Sequence, residues 1–193
     1  MGLSRPIRLI CYLLAVLALC GCGKRYVPKP YGYFRTDLPE HRYQPFAEPG
    51  YPYRFAYAQI AEVRPKTAPD ERYWMDIYYP SLDARLHCSY KPVENNLREL
   101  SADAQDFVFK HAGKASAIPE QGYENAEAKV YGVYYELHGN TASPYQFYLT
   151  DSTRHFFRAA LYFNCVPNQD SLAPIVDYLR EDVRMMMETF EWQ

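Results

Sequence analysis

The residues best able to move a proton or hold a metal are the five histidines, His41, His87, His111, His138 and His155. None stands four residues from another, and no two cysteines bracket a pair of residues, so the usual zinc spacings are missing. His87 and Cys88 adjoin, but a strand sends neighbours to opposite faces. A cysteine–histidine nucleophilic pair is therefore disfavoured, and Cys88 reads as a small buried residue. Asp151-Ser152-Thr153-Arg154-His155 holds the residue types of a hydrolase triad within one tight turn, where Asp and Ser are ordinary turn formers. Glu136 and His138 share a strand face with Asn140 just beyond, a candidate polar site that a solvated strand end also accounts for. Nine glycines scattered singly build no phosphate cradle. No catalytic residue, metal or cofactor is expected.

One cysteine does carry a chemical signal. Arg5 and Arg8 precede an apolar run from Leu9 to Leu19, which ends in Leu19-Cys20-Gly21-Cys22. A positive end, a short hydrophobic stretch and a small-residue cut site make a signal peptide. The run is shorter than the roughly 20 residues a membrane-spanning helix needs. Its ending resembles the bacterial lipobox, in which the cysteine is acylated and becomes the first residue of the mature chain. Cys22 fits, with Gly21 and Leu19 at the small and aliphatic positions; Cys20 fits poorly because Leu19 would crowd the cut. Several acyl chains hold a protein in its leaflet far more firmly than one. Gly23-Lys24-Arg25-Tyr26 offers neither an inner-membrane retention aspartate nor an acidic export cluster. The expected location is the outer membrane, lipid-anchored and facing the periplasm.

Taking Arg5 and Arg8 from the 21 Lys and Arg leaves 19 against 23 Asp and Glu, a formal charge of −4 after signal removal. That mild acidity argues against nucleic acid as a partner. Tyrosine, at 20 residues, is the compositional outlier, and it favours half-buried sheets and interfaces.

The chain divides into a signal peptide over 1–21, an acylated cysteine with a Pro-rich tether over 22–52, and one domain over 53–193. Pro28, Pro30, Pro39, Pro45, Pro49 and Pro52 impose extended backbone on the tether. Its aromatics predict that its second half lies against the domain. Tyr53 to Ile60, Tyr73 to Tyr79 and Ala84 to Lys91 read as strands. Asn95 to His111 has helical period, with Asn96 and Glu99 placed as a capping box and Gly113 as the stop. Ala128 to His138, Tyr145 to Thr150 and His155 to Cys165 are strands joined by short polar connections, which favour an antiparallel meander. Leu172, Ile175, Val176, Leu179, Val183, Met186 and Phe190 form a helical stripe that Ser171 can cap. The expected fold class is α+β: a largely antiparallel sheet of about six strands with two main helices packed on it, sandwich-like.

Alternation gives the sheet two unlike faces. Phe157, Ala159, Leu161, Phe163 and Cys165 share an apolar side that belongs to the core. Phe156, Arg158, Ala160, Tyr162 and Asn164 share the other, which Tyr148 extends on the neighbouring strand. That second side is either a partly covered layer or a docking surface; Tyr148, Phe156 and Tyr162 are its candidate partner contacts. Cys88 and Cys165 both point toward the inferred core. They form a disulfide if adjacent in an oxidising compartment, and two free buried thiols otherwise.

The longest distinctive strings are Val130-Tyr-Gly-Val-Tyr-Tyr-Glu-Leu-His-Gly-Asn-Thr-Ala-Ser143, Gln146-Phe-Tyr-Leu-Thr-Asp-Ser-Thr-Arg-His-Phe156 and Ala160-Leu-Tyr-Phe163. Tyr178-Leu-Arg-Glu-Asp-Val-Arg-Met-Met-Met-Glu-Thr-Phe-Glu-Trp192 joins them, with Val27-Pro-Lys-Pro-Tyr-Gly-Tyr-Phe34 and Cys88-Ser-Tyr-Lys-Pro-Val93. Together they resemble the GldD family of gliding-motility lipoproteins of Bacteroidota. The resemblance covers nearly the whole mature chain. It implies an envelope accessory component of gliding and type IX protein secretion, with no assigned enzymatic activity. Its partners would be other envelope proteins of that apparatus, and the membrane through the lipid anchor. Only the lipidated cysteine carries over, onto Cys22.

Overall fold

Residues with large apolar side chains on alternate positions dominate the strands of this protein, and their pairing builds the architecture. The computed structural model describes residues 38–110, 112–165 and 168–193. The signal peptide, Cys22 and the tether as far as residue 37 lie outside those residues. In chain order the elements are β1 (Tyr43–Phe46), β2 (Tyr53–Ala58), β3 (Glu62–Pro65), β4 (Met75–Tyr79), β5 (Ala84–Pro92) and α1 (Leu97–Phe109). They continue with β6 (Ala115–Ala117), β7 (Glu120–Asn125), β8 (Val130–Glu136), β9 (His138–Gly139), β10 (Tyr145–Thr150) and β11 (His155–Phe163). The last are α2 (Gln169–Glu188) and β12 (Glu191–Trp192).

A seven-stranded sheet runs in the order β3-β4-β5-β11-β10-β8-β7, antiparallel throughout. The expected meander is β8-β10-β11, and β5 extends it by pairing all nine residues of β11, from His155 opposite Pro92 to Phe163 opposite Ala84. Gly132 on β8 is required by close approach: a Cβ there would stand 1.9 Å from the Tyr148 carbonyl oxygen. The α+β sandwich is therefore present, with β3 and β7 added at the two edges. A separate three-stranded sheet, β1-β2-β12, stands apart from this one.

The inner face of the large sheet packs on α2 and on β1-β2-β12. Phe157 lies 5.0 Å, ring to ring, from both Tyr53 and Phe190. Leu86, Cys88, Phe147, Leu149, Ala159, Leu161, Leu179, Val183 and Met186 fill the space around them. The outer face meets α1. Leu100 and Ala104 cover Phe156, and Val108 covers Tyr135 and Leu137.

Three local expectations are corrected. The domain does not begin at Tyr53: Leu38 already packs against the core, and β1 pairs with β2 from Tyr43 opposite Ala58. Asn96 makes no side-chain cap on α1, because its Oδ1 accepts the Glu94 N–H instead. α2 starts earlier than Ser171, with Asn168 as its cap accepting the Ser171 N–H, so Pro174 sits within the helix.

The β10–β11 turn is organised by one carboxylate. Asp151 Oδ1 accepts the N–H groups of Thr153, Arg154 and His155 at 3.0, 2.7 and 2.8 Å, and Oδ2 accepts the Thr153 hydroxyl. Burial alone would raise its pKa, but these donors outweigh burial and hold it at about 2. A depressed pKa stabilises the fold above the unfolded value, and the contribution is lost as pH falls. The stability difference between wild type and Asp151→Asn should be present at neutral pH and vanish between about pH 4 and pH 2, as read by urea melts across that range. Separately, Leu179 is wholly buried on α2. Leu179→Ala should cost about 2–5 kcal/mol in the same melts; an unchanged midpoint would mean that α2 does not pack on its own sheet.

Candidate functional site

The outer face holds a group of charges gathered on one buried acid. Alternation on β4 and β5 brings Asp76 opposite His87. Asp76 is only 4% exposed. Its Oδ1 stands 2.7 Å from His87 Nδ1, and its Oδ2 accepts from Lys66 Nζ at 2.8 Å and from Arg85 Nη1 at 3.3 Å. A carboxylate can only accept, so His87 Nδ1 carries the hydrogen. The Tyr162 ring packs edge-on against His87, centroids 5.5 Å apart.

Next to this group lies Arg158 on β11, opposite Ser89 on one side and Tyr148 on the other. Its Nη2 donates to Gln146 Oε1 at 2.7 Å, and its guanidinium stands 4.5 Å from the Phe107 ring centroid. Burial pulls its pKa down, while the Tyr162 phenol, in hydrogen-bond contact, acts the other way. Gln146 is 1% exposed and its Nε2 has no partner among the described residues. Gln146 thus orients Arg158 without neutralising it.

A cavity of about 330 Å³ separates these groups from α1. It exists because a helix about 10 Å wide covers only about two strands spaced 4.8 Å apart. α1 sits over β10 and β11, so the β4–β5 side stays open. Trp74, Leu100, Ala104, Phe107 and Phe156 supply apolar walls; Lys66, Asp76, His87 and Arg158 supply the polar ones.

Of the polar site expected around Glu136, the structure brings Glu136 and His138 together on one small cavity and turns Asn140 away. Glu136 Oε1 is taken by Arg180 Nε at 3.3 Å and by the Tyr134 hydroxyl at 3.2 Å, and His138 stands 3.7 Å from Oε2. Asn140 turns away to accept the Gln169 N–H at 2.8 Å, so it serves the start of α2. The other described histidines also have partners. His155 Nδ1 meets the Tyr90 hydroxyl at 2.7 Å, and His41 Nδ1 meets buried Asp182 at 2.8 Å. Burial raises the Asp182 pKa, against hydrogen bonds from His41, Tyr43 and Tyr79. His111 lies outside the described residues.

Two further expectations fall. Cys88 and Cys165 are both free; Cys88 is buried, but Cys165 is exposed. Phe163 is the last residue of β11, so Cys165 lies beyond the strand whose alternation would have turned it inward. Cys88 pairs with Ala159, six positions before Cys165, or roughly 20 Å along an extended chain. Burial also pushes the Cys88 thiol pKa well up, which leaves it inert. Of the docking face, Phe156 is 4% exposed beneath α1, and Tyr148 stacks on it at 5.1 Å. Tyr162 is half-buried beside His87. That side of the sheet is a partly covered layer, and what it leaves open is the cavity. A signal for the charged group was present in the sequence: Asp76 and Arg158 are lone charges in otherwise apolar and aromatic strands.

Comparison with known proteins adds the family. The sequence matches the model of the gliding motility lipoprotein GldD over residues 23–192. The chain belongs to that family. The matched span opens one residue after Cys22, and the family is one of lipoproteins associated with gliding motility. Among the described residues, no helix is long and apolar enough to cross a membrane. No curated protein sequence matches the chain. In fold it is similar to the solution structure of cyanobacterial PsbP (CyanoP) from Synechocystis sp. PCC 6803. The TM-score is 0.51 at 11% identity, covering 86% of this chain and 100% of that one. At that identity the likeness concerns the fold alone.

If Asn140 serves the helix and no chemistry, its loss should be felt in stability. Asn140→Ala should cost about 1 kcal/mol in a thermal melt, the usual scale for a lost helix cap. A melting temperature equal to wild type would return Asn140 to the status of an uncommitted polar group.

Proposed function

We propose that this protein is an outer-membrane lipoprotein, held by acylated Cys22 and facing the periplasm. In this reading it acts as a non-enzymatic accessory or assembly component of the gliding motility and type IX secretion machinery, through contacts with other envelope proteins. The observation that carries the reading is the family match, which covers residues 23–192 and begins one residue after the lipobox cysteine. Two features of the chain support it. The apolar run and Leu19-Cys20-Gly21-Cys22 favour acylation, and residues 23–26 lack the acidic signals that would direct the protein elsewhere. In the candidate polar site, Glu136 meets Arg180, Tyr134 and His138, and Asn140 serves the start of α2.

Complementation of a deletion strain in a gliding Bacteroidota host tests this directly. Cys22→Ala should take up no labelled palmitate, leave the membrane fraction and fail to restore gliding and cargo secretion. A folded Glu136→Gln, His138→Ala double variant should restore both. A dead double variant with wild-type circular dichroism would instead favour a periplasmic enzyme.

A further inference from the structure

We propose that the cavity under α1 binds a carboxylate carried on a compact apolar body, with Arg158 as its counter-ion. Arg158 is half-buried on the cavity wall, and a guanidinium in such a setting forms its strongest hydrogen bonds with a carboxylate. Arg158 has an amide oxygen, a phenol and an aromatic ring as neighbours, and no carboxylate among the described residues is in ion-pair contact with it. Asp76, the one buried acid nearby, already serves Lys66, Arg85 and His87. Three permanent cations, Lys66, Lys91 and Arg158, line the cavity with three acids, Asp76, Glu71 and Asp103, and among these Asp76 is the acid in an ion pair, with Lys66. Among the described residues, Glu71 and Asp103 make no ion pair with Arg158 or with Lys91. What Arg158 lacks is a paired carboxylate, and the anion of a ligand would supply it.

The walls define the rest of that ligand. Trp74, Leu100, Ala104, Phe107 and Phe156 present rings and aliphatic carbon, which suit an aromatic or branched body. Pockets for drug-sized ligands begin near about 300 Å³, so a cavity of about 330 Å³ admits one ring and its acid group, not a long chain. Gln146 presets the guanidinium in its plane, leaving other donors of the fork for a carboxylate. A free acid and the last residue of a polypeptide share this chemistry.

The test uses the full-length acylated protein in detergent, with Trp74 in the wall as a fluorescent reporter. The probes are 3-phenylpropionate, its neutral amide 3-phenylpropanamide, acetate, and N-acetyl-glycyl-phenylalanine for a chain terminus. Either aromatic acid should bind saturably at millimolar concentration or below, and the tighter of the two identifies the source. The amide and acetate should each bind about tenfold or more weakly, the scale of a lost charge-assisted contact. Arg158→Gln should weaken the acid by a similar factor, Arg158→Lys by less, and Glu136→Gln not at all. Equal binding of acid and amide to the wild-type protein would overturn the proposal without any variant. So would the absence of binding by both acids, or an Arg158→Lys or Arg158→Gln protein that folds and binds as wild type.

Discussion

The structure depends on one constraint, the alternation of side chains along β5 and β11. Those two strands pair over their full common length at the centre of the large sheet, and every residue of each must face one way or the other. Leu86, Cys88, Phe157, Ala159 and Leu161 turn inward to a dry core shared with α2, Tyr53 and Phe190. A slip of one residue would exchange that set for His87, Ser89, Phe156 and Arg158, and bury charges against the core. Register is therefore set by the difference between the two faces, and the meander of β8, β10 and β11 takes its own register from β11.

The same constraint creates the outer cavity. The inner face has a 20-residue helix and a second sheet to cover it, whereas the outer face has the 13 residues of α1. Leu100, Ala104 and Val108 are enough to shield Phe156 and Tyr135, but not the β4–β5 half. Polar groups collect beside the helix, over the strands it does not cover. They are organised among themselves, with Asp76 buried under three donors and Arg158 aligned by Gln146. An organised polar group beside apolar walls is the usual composition of a ligand site. The family places the protein among gliding-motility lipoproteins, and the cavity gives such a protein a means of recognising something small.

Much of this was legible in the sequence, for identifiable reasons. The long strands β8, β10 and β11 showed clear period-two patterns separated by short polar turns, and α2 showed an apolar stripe over several turns. The two unlike faces of β11 were readable residue by residue. The short strands were not. β1 contains Pro45, β3 ends in Pro65, and β7 reads Glu-Gln-Gly-Tyr-Glu-Asn, with little apolar content to mark it. Which atoms a polar group would meet was also hidden. Asn96 prefers a backbone N–H two residues behind it to one ahead, Asn140 reaches the far start of α2, and Cys165 lies just past the strand whose alternation would have turned it inward. The Asp76–His87–Lys66 group needs three segments brought together by β3-β4-β5 pairing, and spacing alone does not reveal it.

Thiol accessibility on β5 tests the account most directly, because Cys88 and Ser89 are neighbours assigned to opposite faces. In acylated protein carrying Cys165→Ser and Ser89→Cys, a maleimide should modify the thiol at position 89, on the open cavity, and leave Cys88 untouched until the fold is melted. Tandem mass spectrometry distinguishes the two sites. Modification of Cys88 in the native protein at a comparable rate, or equal protection of both positions, would contradict a sheet with one sealed face and one open face.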